Sequence, residues 1–223
     1  MNTPRKRVVV FISGGGSNMM ALLKATAAPD YPAEIVAVIA DKADAGGLAK
    51  AAAEGIATFA FVRKDFASKD AHEEAILSRL EALSPDIICL AGYMRLLSGR
   101  FIQRYEGRII NIHPSLLPLF PGLHTHQRAI DAGMRIAGCT VHFVTEGMDE
   151  GPVIGQAAVA VLTGDTADAL AARVLTVEHQ LYPQSLRLLA EGNVRMEGGK
   201  AISLARTPAA HGRQVVSLLG DMA

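Results

Sequence analysis

An amide and an imidazole stand two residues apart at Asn111 and His113, inside the stretch RIINIHPSLLPLFPG at 108–122. The apolar run from Arg108 to His113 reads as a buried strand. Alternate strand side chains share a face, which puts the pair on one side, roughly 7 Å apart along the chain. Pro114 has no N–H for a ladder and fixes its own φ, so the strand stops there, and Pro118 and Pro121 stiffen the turn that follows. Open α/β sheets bind ligands at the carboxyl ends of their strands. There an amide donates to a developing oxyanion, and an imidazole moves a proton near neutral pH. Taken alone, the pair also fits a turn cap and a satisfied core histidine; the rest of the chain must decide.

The elements around this stretch alternate. Residues 8–12 form a continuous β-branched and aromatic run, as in strands buried on both faces. SGGGSN follows at 13–18, then a helical pattern from Met19 to about Ala27. A strand, a glycine turn and a helix N-terminus together make an anion site. The dinucleotide fingerprint needs a glycine where Met19 stands, and the nucleotide-triphosphate loop needs a Gly-Lys-Ser/Thr that is absent. The loop therefore reads as a holder of a phosphate monoester through Gly16, Ser17 and Asn18. Asp41, after the second strand, keeps a dinucleotide reading open as a ribose-binding acid. A plain turn with a Ser or Asn helix cap would need only one of the glycines.

Further strands are expected at 35–40, 58–62, 86–91 and 136–144, with helices at 45–54 and 70–83 and another opening near Thr125. Alternating β and α units predict an α/β, Rossmann-like fold: a mostly parallel twisted sheet with helices on both faces. Val153–Leu162 is expected as an antiparallel edge strand. Thr166 should cap a helix to about Glu191, kinked or divided at Pro183, and 193–205 allow a short hairpin. The expected organisation is a single domain over 1–206, with a weakly patterned, partly disordered tail at 207–223. The loop 145–151 carries Glu146, Asp149 and Glu150; an acid there can face His113, and solvated turn acids are the default for the two glutamates.

Lys+Arg and Asp+Glu both number 22, a zero formal charge that argues against nucleic-acid binding and for small-molecule substrates. Cys89 and Cys139 lie in separate apolar runs and read as buried, reduced thiols, which fits a cytoplasmic protein. VVVFI after Arg5-Lys6-Arg7 is too short for a signal peptide, and no stretch reaches the length of a membrane span. His124 and His126 lack a third ligand at metal-like spacing, so no metal site is expected. Monomer and homodimer are both open.

Five segments, SGGGSN, ADKADAGGLAKA, LAGYMRLLS, NIHPSLLPLFPGLHTH and TVHFVTEGMDEGPVIGQ, occur in order, within a match that runs over roughly residues 7–197. Together they resemble the folate-dependent formyltransferase family and, by the SGGGSN loop and the short length, its phosphoribosylglycinamide branch. The additional domains of initiator-tRNA formyltransferases and formyltetrahydrofolate hydrolases are not expected in a chain of this size. The resemblance implies formyl transfer from 10-formyltetrahydrofolate to the amine of 5-phosphoribosylglycinamide, in de novo purine biosynthesis. It implies a catalytic trio of Asn111, His113 and Asp149, with the substrate phosphate on Gly16, Ser17 and Asn18 and the ribose hydroxyls on Glu178. The folate is implied along Met94, Arg95, Leu96 and Leu97, at Asn111, and along Thr145, Glu146, Gly147, Met148 and Asp149, with Lys69 near its glutamate tail. Two positions depart from the family pattern. Leu175 stands where a polar or basic residue often helps the phosphate, and Lys69 replaces an arginine, keeping the charge but losing the bidentate fork. An NAD-dependent oxidoreductase and a non-catalytic folate- or nucleotide-binding module are the alternatives; the first leaves Asn111, His113 and the proline turn without a role.

Overall fold

The computed structural model describes residues 4–204 and 215–218. The chain divides into two compact units, 1–110 and 111–223.

The amino-terminal unit is built on β1 (Lys6–Ile12), α1 (Ser17–Thr26), β2 (Ala33–Ala40), α2 (Gly46–Ala53), β3 (Ala57–Ala60), α3 (Lys69–Leu83), β4 (Ile87–Leu90) and α4 (Gly99–Arg104). β1 pairs in parallel with both β2 and β4, and β2 pairs in parallel with β3. Val8 to Ile12 are fully buried, as the β-branched run required of a strand covered on both faces. Ser68 caps α3 by accepting from the Ala71 N–H, which satisfies one of the free donors of the first turn.

β5 (Ile109–His113) leads into the carboxyl-terminal unit, which continues with α5 (Thr125–Asp131), β6 (Ile136–Phe143), β7 (Val153–Ala160), α6 (Ala167–Ala190), β8 (Val194–Glu197), β9 (Lys200–Ser203) and β10 (Val215–Leu218). β6 and β7 are antiparallel, and β8 and β9 form the expected hairpin. β10 pairs antiparallel on β7, so β7 has a neighbour on each side and the outer antiparallel strand is β10. Apart from β10, the tail expected at 207–223 lies outside the described residues.

The class is the expected one, a Rossmann-like α/β fold with a mostly parallel sheet and an antiparallel margin. α6 is not divided at Pro183. It runs unbroken from Ala167 to Ala190 with Pro183 inside, because Leu181 and Tyr182 before the proline and Ser185 and Leu186 after it are all buried on the same packed face. Cys89 and Cys139 are both buried and unbridged. Among the described residues no helix is long and apolar enough to cross a membrane, and no cluster of His, Cys, Asp or Glu is arranged to hold a metal ion.

Candidate active site

The proline turn after β5 is rigid because β6 and β7 fasten it. The Thr140 hydroxyl, fully buried, donates to the Ser115 carbonyl at 2.7 Å and accepts from the Leu117 N–H at 3.0 Å. The Gln156 amide donates to the Leu117 carbonyl at 2.9 Å and to Thr140 Oγ1 at 3.0 Å. Ser115 Oγ donates to the Leu119 carbonyl at 2.6 Å, closing the turn on itself. The strand residues thus fix where the turn's own carbonyls point.

One of those carbonyls sets the state of His113. His113 Nε2 lies 3.0 Å from the Phe120 carbonyl oxygen, which can only accept, so Nε2 carries a hydrogen. Nδ1 is left facing Asp149 Oδ2 at 3.4 Å. A proton arriving at Nδ1 therefore meets a carboxylate oxygen that can accept it in a hydrogen bond. Asp149 is itself held: its Oδ2 accepts from the Gly122 N–H at 2.9 Å, and its backbone sits at φ 56°, in the left-handed region that Asp tolerates better than most residues. Phe120, at φ 53°, is a bulky residue in the same region, a departure that clusters at functional sites.

Asn111 is oriented by His142, on β6, which was not singled out from the sequence. His142 Nδ1 lies 2.8 Å from the Phe143 carbonyl and must donate to it, so Nε2 is bare and accepts from Asn111 Nδ2 at 3.2 Å. Burial pushes the His142 pKa down, outweighing the Phe143 hydrogen bond and the charge of Asp149, both of which push it up. The ring is therefore neutral, and its 3.9 Å approach to Asp149 Oδ1 is not an ion pair. With one amide N–H fixed on His142, the other has no described partner. Asn111, His113 and Asp149 thus come together within the carboxyl-terminal unit, with His142 joining them.

The other expected site residues of this unit are placed as follows. Glu178, on α6, is buried at 6% exposure, not a solvated helix acid. Burial first, and then the Glu178 charge, push the Cys139 thiol pKa up. Thr145 and Gly147 are half-buried, Glu146 and Glu150 are exposed, and Met148 is exposed with its sulfur beside Gly122. His124 is the residue that opens α5, and His126 is half-buried on its first turn.

In the amino-terminal unit the glycine loop opens α1 without a side-chain cap: Gly16 takes the N-cap position at φ 70°, and neither Ser17 nor Asn18 plays that part. A side chain on Gly16 would meet Met19 Cε at 3.0 Å and Gly47 Cα at 3.1 Å, whereas one on Gly14 or Gly15 would meet nothing within 4 Å. Packing and strain account for Gly16 alone; open space beside the other two is what a backbone-bound ligand requires. The Gly14 carbonyl accepts from the Gly47 N–H at 3.0 Å and the Gly15 carbonyl from Lys50 Nζ at 2.8 Å. In a trans peptide the N–H points opposite its carbonyl, so the N–H groups of Gly15 and Gly16 face away from α2. Ser13 ties the loop to the exit of β4: its N–H donates to the Gly92 carbonyl at 3.2 Å, and its Oγ accepts from the Met94 N–H at 2.8 Å.

That exit borders a cavity of about 320 Å³ lined by Arg63, Lys69, His72, Glu73 and Tyr93 to Leu97. Met94 and Leu96 are 67% and 62% exposed, large apolar groups facing water. Lys69 opens α3 and lies 3.8 Å from Glu73. Asp41 does not stand free for a ribose diol: Arg95 Nε holds its Oδ2 at 2.7 Å.

An α/β chain with an amide, two imidazoles and a carboxylate at a strand end, and a glycine loop at a helix start, is equipped for acyl-type transfer. The family described as formyl transferase matches residues 6–186, and the chain belongs to it. Within that family it is similar to the phosphoribosylglycinamide formyltransferase of Escherichia coli (strain K12), 44% identical over 194 residues, covering 87% of this chain and 92% of that one. The crystal structure of phosphoribosylglycinamide formyltransferase from Brucella melitensis is 74% identical, with a TM-score of 0.81 over 83% of this chain and 96% of the other. The trifunctional purine biosynthetic protein adenosine-3 of Bos taurus is 48% identical over 199 residues, which are 88% of this chain and 20% of that protein. The chain spans a fifth or less of the length of the trifunctional relatives it matches.

Proposed function

We propose that the chain transfers a formyl group from 10-formyltetrahydrofolate to the primary amine of 5-phosphoribosylglycinamide, a step of purine biosynthesis. The observation that carries this reading is the His113–Asp149 contact at 3.4 Å together with an Asn111 amide held by His142 at 3.2 Å, in a member of the formyl transferase family.

The amine attacks the formyl carbon, giving a tetrahedral centre with a negative oxygen and a positive nitrogen. The free Asn111 N–H donates to that oxygen; losing one such donor costs on the order of a hundredfold in rate. The proton leaving the ammonium passes to His113 Nδ1, where Asp149 stabilises the imidazolium, and from there to the departing folate nitrogen. Nε2 stays on the Phe120 carbonyl throughout, so the ring cannot turn away between the two transfers.

Gly16, Ser17 and Asn18 take the substrate phosphate on the N–H groups at the start of α1, and Glu178 takes the ribose hydroxyls. The folate lies along Met94 to Leu97, at Asn111 and along Thr145 to Asp149, with Lys69 toward its glutamate tail. Holding both substrates supplies much of the acceleration, the phosphate acting as anchor.

The test is direct. Purified chain with both substrates should release deformylated folate only when the amine substrate is present. Release without it would make the chain a hydrolase, and no release would end the reading.

A further inference from the structure

Asp41 follows β2 and is 3% exposed, and its Oδ1 is buried without a hydrogen-bond partner among the described residues. Its Oδ2 is held by Arg95 Nε at 2.7 Å, from a side chain that is 39% exposed. A buried carboxylate satisfied on one oxygen only is a poor stabiliser of a fold, because its desolvation is incompletely offset. Its position makes sense through what it holds. Arg95 lines the 320 Å³ cavity together with Arg63 and Lys69. Of the three basic groups, Lys69 faces Glu73 at 3.8 Å and Arg95 faces Asp41 at 2.7 Å, and Arg63 has no carboxylate partner among the described residues, so the lining keeps a positive excess.

Asp41 grips the guanidinium by Nε, which leaves the two Nη groups, without described partners, as the fork that matches a carboxylate. The Ser13–Met94 hydrogen bond fixes the backbone one residue before Arg95. We propose that Asp41 is a positioning residue that sets the Arg95 fork toward a carboxylate of the folate's glutamate tail. The inference rests on the formyl-donor reading above and extends it to the residue that aims the contact.

Steady-state kinetics with two donors tests it: 10-formyltetrahydrofolate and its truncated form lacking the glutamate. Asp41→Asn should raise KM for the full donor about tenfold, leaving kcat and the ribonucleotide KM within about twofold. With the truncated donor, wild type and variant should agree. Arg95→Gln, at an exposed side chain, should show the same donor-dependent loss, and the double variant should be no worse than either single one. Arg95→Lys should not rescue, having no Nε for Asp41 to hold. An unchanged KM in Asp41→Asn, or an equal rise with both donors, overturns the proposal while wild-type turnover keeps the formyl-transfer reading intact. If Asp41→Asn does not fold, a loss in Arg95→Gln that is the same for both donors overturns it. No turnover in the wild type removes both.

Discussion

The cluster around His113 and the cavity around Met94 are made differently. In the first, the polar groups are committed to fixed protein partners: His113 to the Phe120 carbonyl and Asp149, Asn111 to His142, Asp149 to the Gly122 N–H. In the second, large apolar side chains stand in water, Met94 at 67% and Leu96 at 62% exposure, beside basic groups lining open space. The proton transfer and oxyanion stabilisation proposed for the first region depend on donors already aimed when charge develops. A binding surface gains from apolar area that the ligand itself covers. On the proposed function, one region is finished before substrate arrives and the other is completed by it.

If that contrast is right, substitutions in the first region should act on kcat and those in the second on KM. Asp149→Asn should show the largest effect, kcat falling about a thousandfold with both substrate affinities kept, since the imidazolium loses its counter-charge; wild-type turnover would remove Asp149 from the mechanism. Asn111→Ala should lower kcat about a hundredfold through the lost donor, measurable in single turnover with ribonucleotide binding unaltered. His142→Phe keeps a ring in place but frees the Asn111 amide, and should cost about tenfold in kcat; a change in KM alone would move His142 to the binding side of the comparison. Met94→Ala should be the mildest, raising the folate KM about threefold at unchanged kcat, as expected for lost apolar contact.

Much of this was legible in the sequence, for identifiable reasons. Strand ends show in patterning and proline, so Asn111, His113 and the stop at Pro114 could be placed on one face. The glycine loop was legible as far as Gly16, whose conformation only glycine adopts comfortably. The supports were not legible. The Phe120 carbonyl and the Gly122 N–H are backbone atoms, which no residue type announces. His142 gave one signal, a polar residue on an otherwise apolar strand face with Thr140, but its partner lies on a different strand. Asp41 was misleading, since its spacing after β2 fits a ribose acid and its partner Arg95 comes from a distant loop. Pro183 was over-read, because burial on both sides of it holds α6 together against the loss of a single hydrogen bond.

The account depends on His113 and Asp149 working as one unit. A kinetic cycle over His113→Asn, Asp149→Asn and the double variant measures that directly. Residues acting as a unit lose their function once, so the double variant should turn over no more slowly than the slower single variant. Losses that multiply would show two independent contributions and contradict it.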